Sequence, residues 1–322
     1  MSEAQRRRVA VLGAGSWGTA LAIQLARVGH DVRLWARDGE HVAAMQSDRC
    51  NARYLPGVEL DAAIRPVARV DEALDGADRI LVVTPSHAFG ESLDAVASGV
   101  REETGLAWAT KGFEPGTGRL LSELAVERLG SAIPLAAVSG PSFAGEVARG
   151  LPTAVTVGAS TPDFGRDWAA LLHGSSFRAY YTADLVGAQL GGAVKNVLAI
   201  ACGMADGLGL GNNTRAALIT RGLAELMRLG EAMGCRTRTL MGLAGMGDLV
   251  LTCTGDASRN RRFGLALGKG ATADEARTEI GQVVEGVGAA EEVMRAAERA
   301  GVEMPISEQV HGILFKGWNA AK

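Results

Sequence analysis

The sequence predicts an α/β protein in which a doubly wound parallel sheet is followed by an all-helical domain. Up to about residue 183, short apolar runs alternate with amphipathic segments, as expected of strands covered by helices on both faces. After about residue 184 the strand pattern disappears and only helical periodicity remains. A length of 322 residues also exceeds what one hydrophobic core usually supports. We therefore expect two domains, residues 1–187 and 188–322.

The predicted strands are apolar or rich in β-branched residues, and they cover residues 9–12, 31–35, 80–84, 106–110, 135–139, 153–157 and 177–181. The predicted helices between them cover residues 19–28, 89–100, 120–129 and 163–172. In the second domain, helical periodicity covers residues 184–204, 214–233, 263–267, 288–301 and 306–315. Because strands and helices alternate in the first half of the chain, the strands are expected to be parallel.

Composition excludes several classes of protein. Hydrophobic residues make up 47% and charged residues 21%, which is typical of a packed protein and not of a disordered one. A net charge of −3 without a basic tail argues against a nucleic-acid binder. The four cysteines form no C-x-x-C pair, so neither a zinc site nor a disulfide framework is expected, and a reducing cytoplasm fits best. The five histidines show no ligand spacing, so no metal site is expected.

A glycine-rich loop follows the first predicted strand. Gly13, Gly15 and Gly18 form G-x-G-x-x-G between that strand and a helix. The first glycine permits a tight turn, the second lets a pyrophosphate approach the backbone, and the third lets the helix pack on the sheet. This context indicates a Rossmann-type dinucleotide site, with an ordinary glycine-rich turn as the alternative.

The end of the second predicted strand bears on the choice of cofactor. An NAD site usually places an acidic residue here, which accepts from the ribose 2′-hydroxyl. This chain has Arg37 followed by Asp38. Arg37 either faces a 2′-phosphate or lies in solvent, and Asp38 either reaches the ribose or caps a helix. We expect NADP(H) to be preferred over NAD(H), with both usable.

Lys195 is the only side chain that is charged at neutral pH in the most apolar stretch, residues 186–204. Polar groups and glycines in that stretch argue for a buried helix and against a transmembrane segment. A buried ammonium loses hydration, which lowers its pKa and suits it to proton transfer. Only five of the 33 basic residues are lysine, so a lysine here indicates chemistry. Alternatively, Lys195 reaches the helix edge or is locked in an ion pair at the domain junction.

Further candidates follow strands or lie in the helical domain. Lys111 and the segment SGPSFA (139–144) come directly after predicted strands, where ligands bind in such sheets. Arg259, Arg261 and Arg262, with Ser258 and Asn260, offer the donors that a phosphate needs, although a solvated helix face has the same charge pattern. Asp248 either pairs with Lys195, accepts from a substrate hydroxyl, or caps a helix.

Together these motifs resemble those of the bacterial NAD(P)-dependent glycerol-3-phosphate dehydrogenases. They occur in order across nearly the whole chain: GAGSWGTA (13–20), ATKG (109–112), SGPSFA (139–144), GAVKN (192–196), AGMGDL (244–249), SRN (258–260) and VVEG (283–286). The resemblance implies interconversion of dihydroxyacetone phosphate and sn-glycerol 3-phosphate, which supplies the backbone of phospholipids. Trp17 stands where the family often has Phe or Tyr, and Ser142 where it often has Thr.

The resemblance also implies roles for individual residues. Lys195 would be the catalytic proton donor and acceptor. The substrate site would comprise Lys111, Gly140, Ser142, Lys195, Asp248, Ser258, Arg259 and Asn260. Beside the three loop glycines, the cofactor would contact Ser16, Trp17, Arg37, Tyr54, Lys111, Ala144, Arg259, Val283 and Glu285. Tyr54 and residues 283–285 rest on the resemblance alone.

Two other functions remain as alternatives at this point. A related β-hydroxyacid dehydrogenase would keep the glycine loop and the lysine but lack the phosphate-binding arginine cluster. A non-catalytic NADPH sensor would leave the buried lysine unexplained. For the expected enzyme, the partner is a small phosphorylated substrate, without nucleic acid or membrane, and a homodimer is an option that the sequence leaves open.

Overall fold

The computed structural model describes residues 6–320 as ten strands, fifteen α-helices and short helical turns. The strands are β1 Arg8–Leu12, β2 Asp31–Trp35, β3 Cys50–Asn51, β4 Leu55–Glu59, β5 Ile64–Val67, β6 Arg79–Val82, β7 Leu106–Trp108, β8 Leu135–Ser139, β9 Thr153–Ala159 and β10 Phe177–Thr182. The first seven helices are α1 Ser16–Arg27, α2 Gly39–Asp48, α3 Val70–Leu74, α4 Phe89–Val96, α5 Leu121–Leu129, α6 Ala144–Ala148 and α7 Pro162–Leu172. The remaining helices are α8 Leu185–Gly207, α9 Gly211–Ala232, α10 Thr237–Leu240, α11 Asp248–Thr254, α12 Arg259–Gly268, α13 Ala273–Ile280, α14 Glu285–Ala300 and α15 Pro305–Phe315.

Eight strands form one sheet in the order β10-β9-β8-β7-β6-β1-β2-β5. The six neighbouring strands β5, β2, β1, β6, β7 and β8 pair in parallel, and so do β9 and β10. Ser160, just after β9, donates to the carbonyl of Leu135 at the start of β8 (2.8 Å), so β9 runs opposite to β8. The predicted doubly wound, mainly parallel sheet is confirmed, and the winding reverses at β1, where such folds bind ligands.

Every predicted strand is present within about two residues of its predicted limits. The sequence patterns missed β5 and the hairpin β3–β4. Both regions carry residues that weaken a strand pattern, with Pro66 in β5 and Pro56 and Gly57 in β4. β5 forms because it pairs with β2, and β3 and β4 form because they pair with each other. Neither pairing is visible in the local sequence pattern.

The chain forms two compact units. The first contains the sheet, and its core includes the fully buried residues 9–12 of β1. The second comprises residues 186–322 together with two short segments from the first half, Lys111–Leu121 and Ser139–Pro141. The domain boundary between residues 187 and 188 stays a prediction.

Helix α8 is the central helix of the second unit, and its residues from 187 to 205 are buried. Among the described residues it alone has the length and apolar character of a membrane-crossing helix. However, 89% of its most apolar window is buried inside the protein, as in a core helix.

Helices α8 and α12 cross at very short range through glycine. A Cβ atom at Gly203 or Gly207 of α8 would lie 2.0 or 2.4 Å from a carbonyl oxygen of α12. A Cβ atom at Gly264 or Gly268 of α12 would lie 2.1 or 2.3 Å from a carbonyl oxygen of α8. No side chain fits such gaps, so these glycines bring the helix that begins at Arg259 directly against the lysine helix.

Candidate active site

The glycine loop has the geometry of a phosphate cradle. Gly13 has φ of +117°, and a Cβ atom there would lie 2.7 Å from the carbonyl oxygen of Val83. A Cβ atom at Gly18 would lie 1.8 Å from the carbonyl oxygen of Gly13. By contrast, nothing lies within 4 Å of the corresponding point at Gly15, which leaves room for a ligand to approach the backbone. Helix α1 begins here without a side-chain cap or an acidic residue in its first turn, so its N–H groups suit an anion.

Other cofactor candidates of the first unit are Ser16 and Trp17, within this loop, and Tyr54 and Ala144. The Ser16 hydroxyl donates to the carbonyl of Tyr54 (2.6 Å), which places the hairpin region next to the start of α1. The buried indole N–H of Trp17 has no acceptor among the described residues. Ala144 is half-buried at the start of α6 and packs against the core of the sheet.

The end of β2 carries one exposed arginine and one helix cap. Arg37 is exposed. Asp38 is the N-cap of α2 and accepts from the backbone N–H groups of Glu40 and His41, as one of the two alternatives for it predicted. Arg53, which the sequence patterns did not single out, lies 3.1 Å from the Asp38 carboxylate. This ion pair is exposed, and it brings a second cation to the strand end.

Lys195 lies in the middle of α8 and is only 8% exposed. Its ammonium does not reach the helix edge, so that alternative is wrong. Nζ instead donates to Asp248 Oδ1 (2.6 Å) and to Thr252 Oγ1 (2.8 Å). This is the pairing that one of the alternatives for Asp248 predicted, and both residues belong to the second unit.

Asp248 bridges two lysines. Its Oδ1 accepts from Lys195, while its Oδ2 accepts from Lys111 Nζ at 2.6 Å. The carboxylate does not cap a helix: Asp248 is the first residue of α11, and the N-cap is Gly247. A π-helical turn, Leu243–Gly247, precedes it, and a Cβ atom at Gly245 would lie 1.9 Å from the carbonyl oxygen of Leu240. Such turns often orient functional side chains.

Thr252 is a site residue that the sequence analysis missed. Its hydroxyl donates to the backbone carbonyl of Asp248 (2.6 Å), so its lone pairs face Lys195. The sequence analysis predicted no helix here, and the structure shows that Asp248 and Thr252 share one face of α11 at i, i+4 spacing. An ammonium has three N–H donors, and Asp248 and Thr252 take two of those on Lys195. One donor of Lys195 remains for a ligand.

The charges of this cluster tune the lysine. Burial lowers the pKa of Lys195 to about 8, the Asp248 carboxylate opposes that shift, and the nearby Lys111 ammonium adds to it. Burial alone would raise the pKa of Asp248, but Lys111 and Lys195 outweigh it and hold that pKa below its usual range. Two ammonium groups and one carboxylate leave a net positive charge, which suits an anionic ligand or a developing oxyanion.

The two segments that join the second unit complete this cluster. Lys111 Nζ also lies 3.4 Å from the carbonyl oxygen of Gly140. A Cβ atom at Gly192 of α8 would lie 3.1 Å from Ser139 Oγ and 3.3 Å from Lys111 Cγ, so glycine lets both segments pack on the helix. Ser142, in the same motif, is half-buried and is assigned to the first unit.

The Ser-Arg-Asn motif lies at the start of α12. Ser258 is the N-cap and accepts from the backbone N–H of Arg261. Asn260 accepts from the backbone N–H of Gly286 through Oδ1 (2.9 Å), which leaves its amide N–H groups as donors. The carbonyl of Asn196, next to Lys195, lies within 2.8 Å of the point where a Gly286 Cβ would sit. The motif and the lysine helix therefore meet at Gly286.

The arginines of this motif have different roles. Arg261 is buried, and its guanidinium bonds to Asp206 and Asp256, so it does not belong to an open phosphate site. Arg259 is half-buried, and its Nη1 donates to the carbonyl of Val283 (3.0 Å). Glu285, two residues further on, begins α14. The structure thus brings Arg259 together with the segment 283–285, which was assigned by resemblance alone.

Comparisons with known proteins agree with this geometry. Two family models match: the NAD-dependent glycerol-3-phosphate dehydrogenase N-terminus over residues 8–164 and the corresponding C-terminus over residues 184–322. The chain is 59% identical over 307 residues to glycerol-3-phosphate dehydrogenase [NAD(P)+] of Stenotrophomonas maltophilia, with 95% of this chain and 90% of the relative covered. It is 54% identical over 312 residues to the protein of the same name from Aeromonas hydrophila, with 97% and 93% covered.

A solved structure shows the same fold. The crystal structure of glycerol-3-phosphate dehydrogenase from Coxiella burnetii superposes with a TM-score of 0.94 at 47% sequence identity. The match covers 98% of this chain and 97% of that chain. The similarity therefore extends over both compact units.

The bridging carboxylate yields a test of the cluster's energetics. Asp248→Asn leaves two buried ammonium groups without their counter-ion, so we expect the free energy of unfolding at pH 7 to fall by about 3–5 kcal/mol. Adding Lys195→Met removes one of the uncompensated charges and should restore part of that loss. Urea unfolding of wild type, both single variants and the double variant measures these differences. Additive losses would show that Asp248 and Lys195 do not stabilise one another.

Proposed function

The chain belongs to the NAD-dependent glycerol-3-phosphate dehydrogenase family, and on that premise we propose how its residues interconvert dihydroxyacetone phosphate and sn-glycerol 3-phosphate with NAD(P)H. It is an oxidoreductase, and in the reductive direction it supplies glycerol 3-phosphate for phospholipid synthesis. The observation that carries the proposal is the buried Lys195–Asp248–Lys111 cluster, which retains one ammonium donor for a substrate. Turnover of dihydroxyacetone phosphate with NADPH or NADH tests it directly.

The residues of the glycine loop bind the cofactor. The open space at Gly15 and the uncapped N-terminus of α1 receive the pyrophosphate, while Gly13 and Gly18 keep the turn tight. When bound, the nicotinamide supplies or accepts the hydride. The family resemblance also implies cofactor contacts by Ser16, Trp17, Tyr54, Lys111, Ala144, Arg259, Val283 and Glu285.

Lys195 handles the proton. In the reductive direction the remaining ammonium donor bonds to the substrate carbonyl oxygen, stabilises the negative charge that develops there, and then donates the proton. In the oxidative direction the neutral amine accepts the proton of the substrate hydroxyl. Asp248 and Thr252 orient the amine for both steps, and Lys111 adds positive potential.

The start of α12 holds the substrate phosphate. The Arg259 guanidinium and the amide N–H groups of Asn260 donate to the phosphate oxygens, with the Ser258 hydroxyl beside them. Gly140 and Ser142 complete the substrate site. Charge-assisted bonds of this kind distinguish a phosphorylated substrate from its unphosphorylated counterpart.

Both nucleotides serve as cofactor, with NADP(H) preferred. The relatives are named for NAD(P)+, which supports use of both. The preference rests on exposed Arg37 at the end of β2, where the 2′ substituent of the cofactor lies in this fold. Asp38 is engaged as the cap of α2, which reduces its availability to a 2′-hydroxyl.

The cellular setting is also part of the proposal. A cytoplasmic location fits a chain whose four cysteines lack disulfide spacing and whose reaction uses a cytoplasmic cofactor pool. The enzyme acts on a small phosphorylated molecule. A homodimer stays a prediction, which sedimentation equilibrium would test.

The proton role of Lys195 predicts a pH profile. In the reductive direction, kcat/KM should fall as the pH rises through about 8, because the free enzyme then loses the proton that Lys195 donates. In the oxidative direction it should rise over the same range.

Lys195→Ala should lower kcat by at least ~10²-fold with little change in cofactor affinity, and Lys195→Arg should not restore it. An arginine variant with more than roughly a third of wild-type turnover would show that only the positive charge matters.

The phosphate role of Arg259 predicts a loss that depends on the substrate. Arg259→Ala removes a charge-assisted bond worth roughly 1.5–3 kcal/mol, so kcat/KM for dihydroxyacetone phosphate should fall at least ~10-fold. For unphosphorylated dihydroxyacetone it should hardly change. Arg262→Ala, at an exposed position on the same helix, is the matched control. Equal losses with both substrates would assign Arg259 to the cofactor or to the structure.

The preference for NADP(H) predicts a change in cofactor selectivity. Arg37→Ala should raise KM for NADPH and leave NADH nearly unaffected, which shifts the ratio of their efficiencies by roughly 1.5–3 kcal/mol. Steady-state kinetics with each cofactor at saturating substrate measures the ratio. An unchanged ratio would contradict this role, and Arg53→Ala would then be the variant to examine.

A further inference from the structure

The segment that carries Lys111 is a tight loop rich in glycine. Gly112, Gly116 and Gly118 all have positive φ. The loop closes on itself through the backbone pair Glu114 N–H to Arg119 carbonyl (2.8 Å). Lys111 is its first residue, so the conformation of this loop bears on the position of the ammonium that contacts Asp248.

One buried carboxylate holds this loop. Glu292, on α14, is 8% exposed. Its Oε1 accepts from the backbone N–H of Gly116 (2.8 Å) and its Oε2 from that of Gly118 (3.0 Å). Arg295, one turn further along α14, donates to Oε1 (2.6 Å). Both oxygens are thus used on the loop, and the arginine supplies the counter-charge that a buried carboxylate requires.

The loop is also seated closely on α14. A Cβ atom at Gly118 would lie 2.6 Å from the backbone nitrogen of Ala296. Phe113 and Leu120 flank the turn and are buried in the core of the second unit, at 1% and 3% exposure. Packing fixes the two arms of the loop. Glu292 binds two backbone N–H groups of the turn between them, and Arg299, further along α14, donates to the Thr117 carbonyl (3.5 Å).

We propose that Glu292 is a positioning residue, which fixes the loop so that Lys111 reaches the Asp248 carboxylate. A contact that only stabilises the fold would have no specific target. Glu292 instead acts on one atom pair, Lys111 Nζ and Asp248 Oδ2, which lie 2.6 Å apart. The kinetic part of the proposal rests on the proposed function. Lys111 in turn adds to the shift of the Lys195 pKa, so a displaced loop also changes when Lys195 titrates.

Glu292→Gln keeps the size of the side chain but presents an amide N–H₂ to one of the two loop N–H groups. We expect kcat/KM for dihydroxyacetone phosphate to fall roughly tenfold. The alkaline fall of the reductive pH profile should move to higher pH, because Lys195 then has less positive charge beside it. Glu291→Gln is the matched control: it removes the same charge from α14, 3.9 Å from Arg295, without a bond to the loop.

A double variant distinguishes positioning from general stabilisation. If Glu292 acts through Lys111, Glu292→Gln should change kcat/KM less than roughly twofold in a Lys111→Met background. A full tenfold loss in both backgrounds would overturn the proposal. If Glu292→Gln does not fold, Glu292→Asp takes its place, because it keeps the charge and is too short to hold both N–H groups.

Hydrogen–deuterium exchange gives a readout that does not depend on activity. In Glu292→Gln, peptides covering residues 111–121 should exchange at least roughly tenfold faster than in wild type, while α8 and α11 keep their protection. Unchanged exchange in the loop would overturn the proposal even if activity falls. Failure of wild type to reduce dihydroxyacetone phosphate would instead contradict the proposed function and leave the exchange result valid.

Discussion

The Asp248 carboxylate, held between the ammonium groups of Lys111 and Lys195, is the interaction on which the rest of the second unit depends. A buried lysine in an apolar helix is unfavourable unless a counter-ion lies close to it. Asp248 supplies that counter-ion, and sharing it between two lysines leaves the cluster with a net positive charge. The same arrangement that makes the lysine tolerable in the core also prepares it to bind an anionic substrate.

Close backbone packing provides the space in which this cluster forms. Glycines at the crossing of α8 and α12 bring the backbones of the two helices within van der Waals distance. Gly191, beside Gly192 on α8, has the same role toward the segment that leads to Asp248, because its Cβ would lie 1.9 Å from the carbonyl of Ala244. Part of the high glycine content, 43 of 322 residues, thus serves close approach of backbones. Backbones this close hold the polar side chains at fixed distances with little need for further support.

Burial of Lys195 lowers the stability of the folded protein and makes the side chain suitable for proton transfer. Lys195 titrates near 8 in the folded protein, below its usual value of 10.5, so the unfolded chain binds more protons between those two values. Stability linked to this group therefore rises with pH across that window and is lowest below it, where the ammonium must stay buried and charged. Because the buried ammonium is unfavourable at neutral pH, the pKa of Lys195 lies close to that pH. The side chain can therefore donate and accept a proton in turn.

The amino-acid sequence by itself determined the strand–loop–helix motif around Gly13, the parallel sheet, the buried helix and the unusual position of Lys195. These features are local: backbone conformation and burial follow from glycine spacing and apolar periodicity over a few residues. Only the tertiary structure decided which groups meet. Asp248 pairs with lysines 53 and 137 positions away, and Glu292 binds the backbone of Gly116, 176 positions away. The sequence left Asp248 with three alternatives and gave no signal for Glu292, because a carboxylate's partner is set by how helices pack and not by its neighbours in the chain.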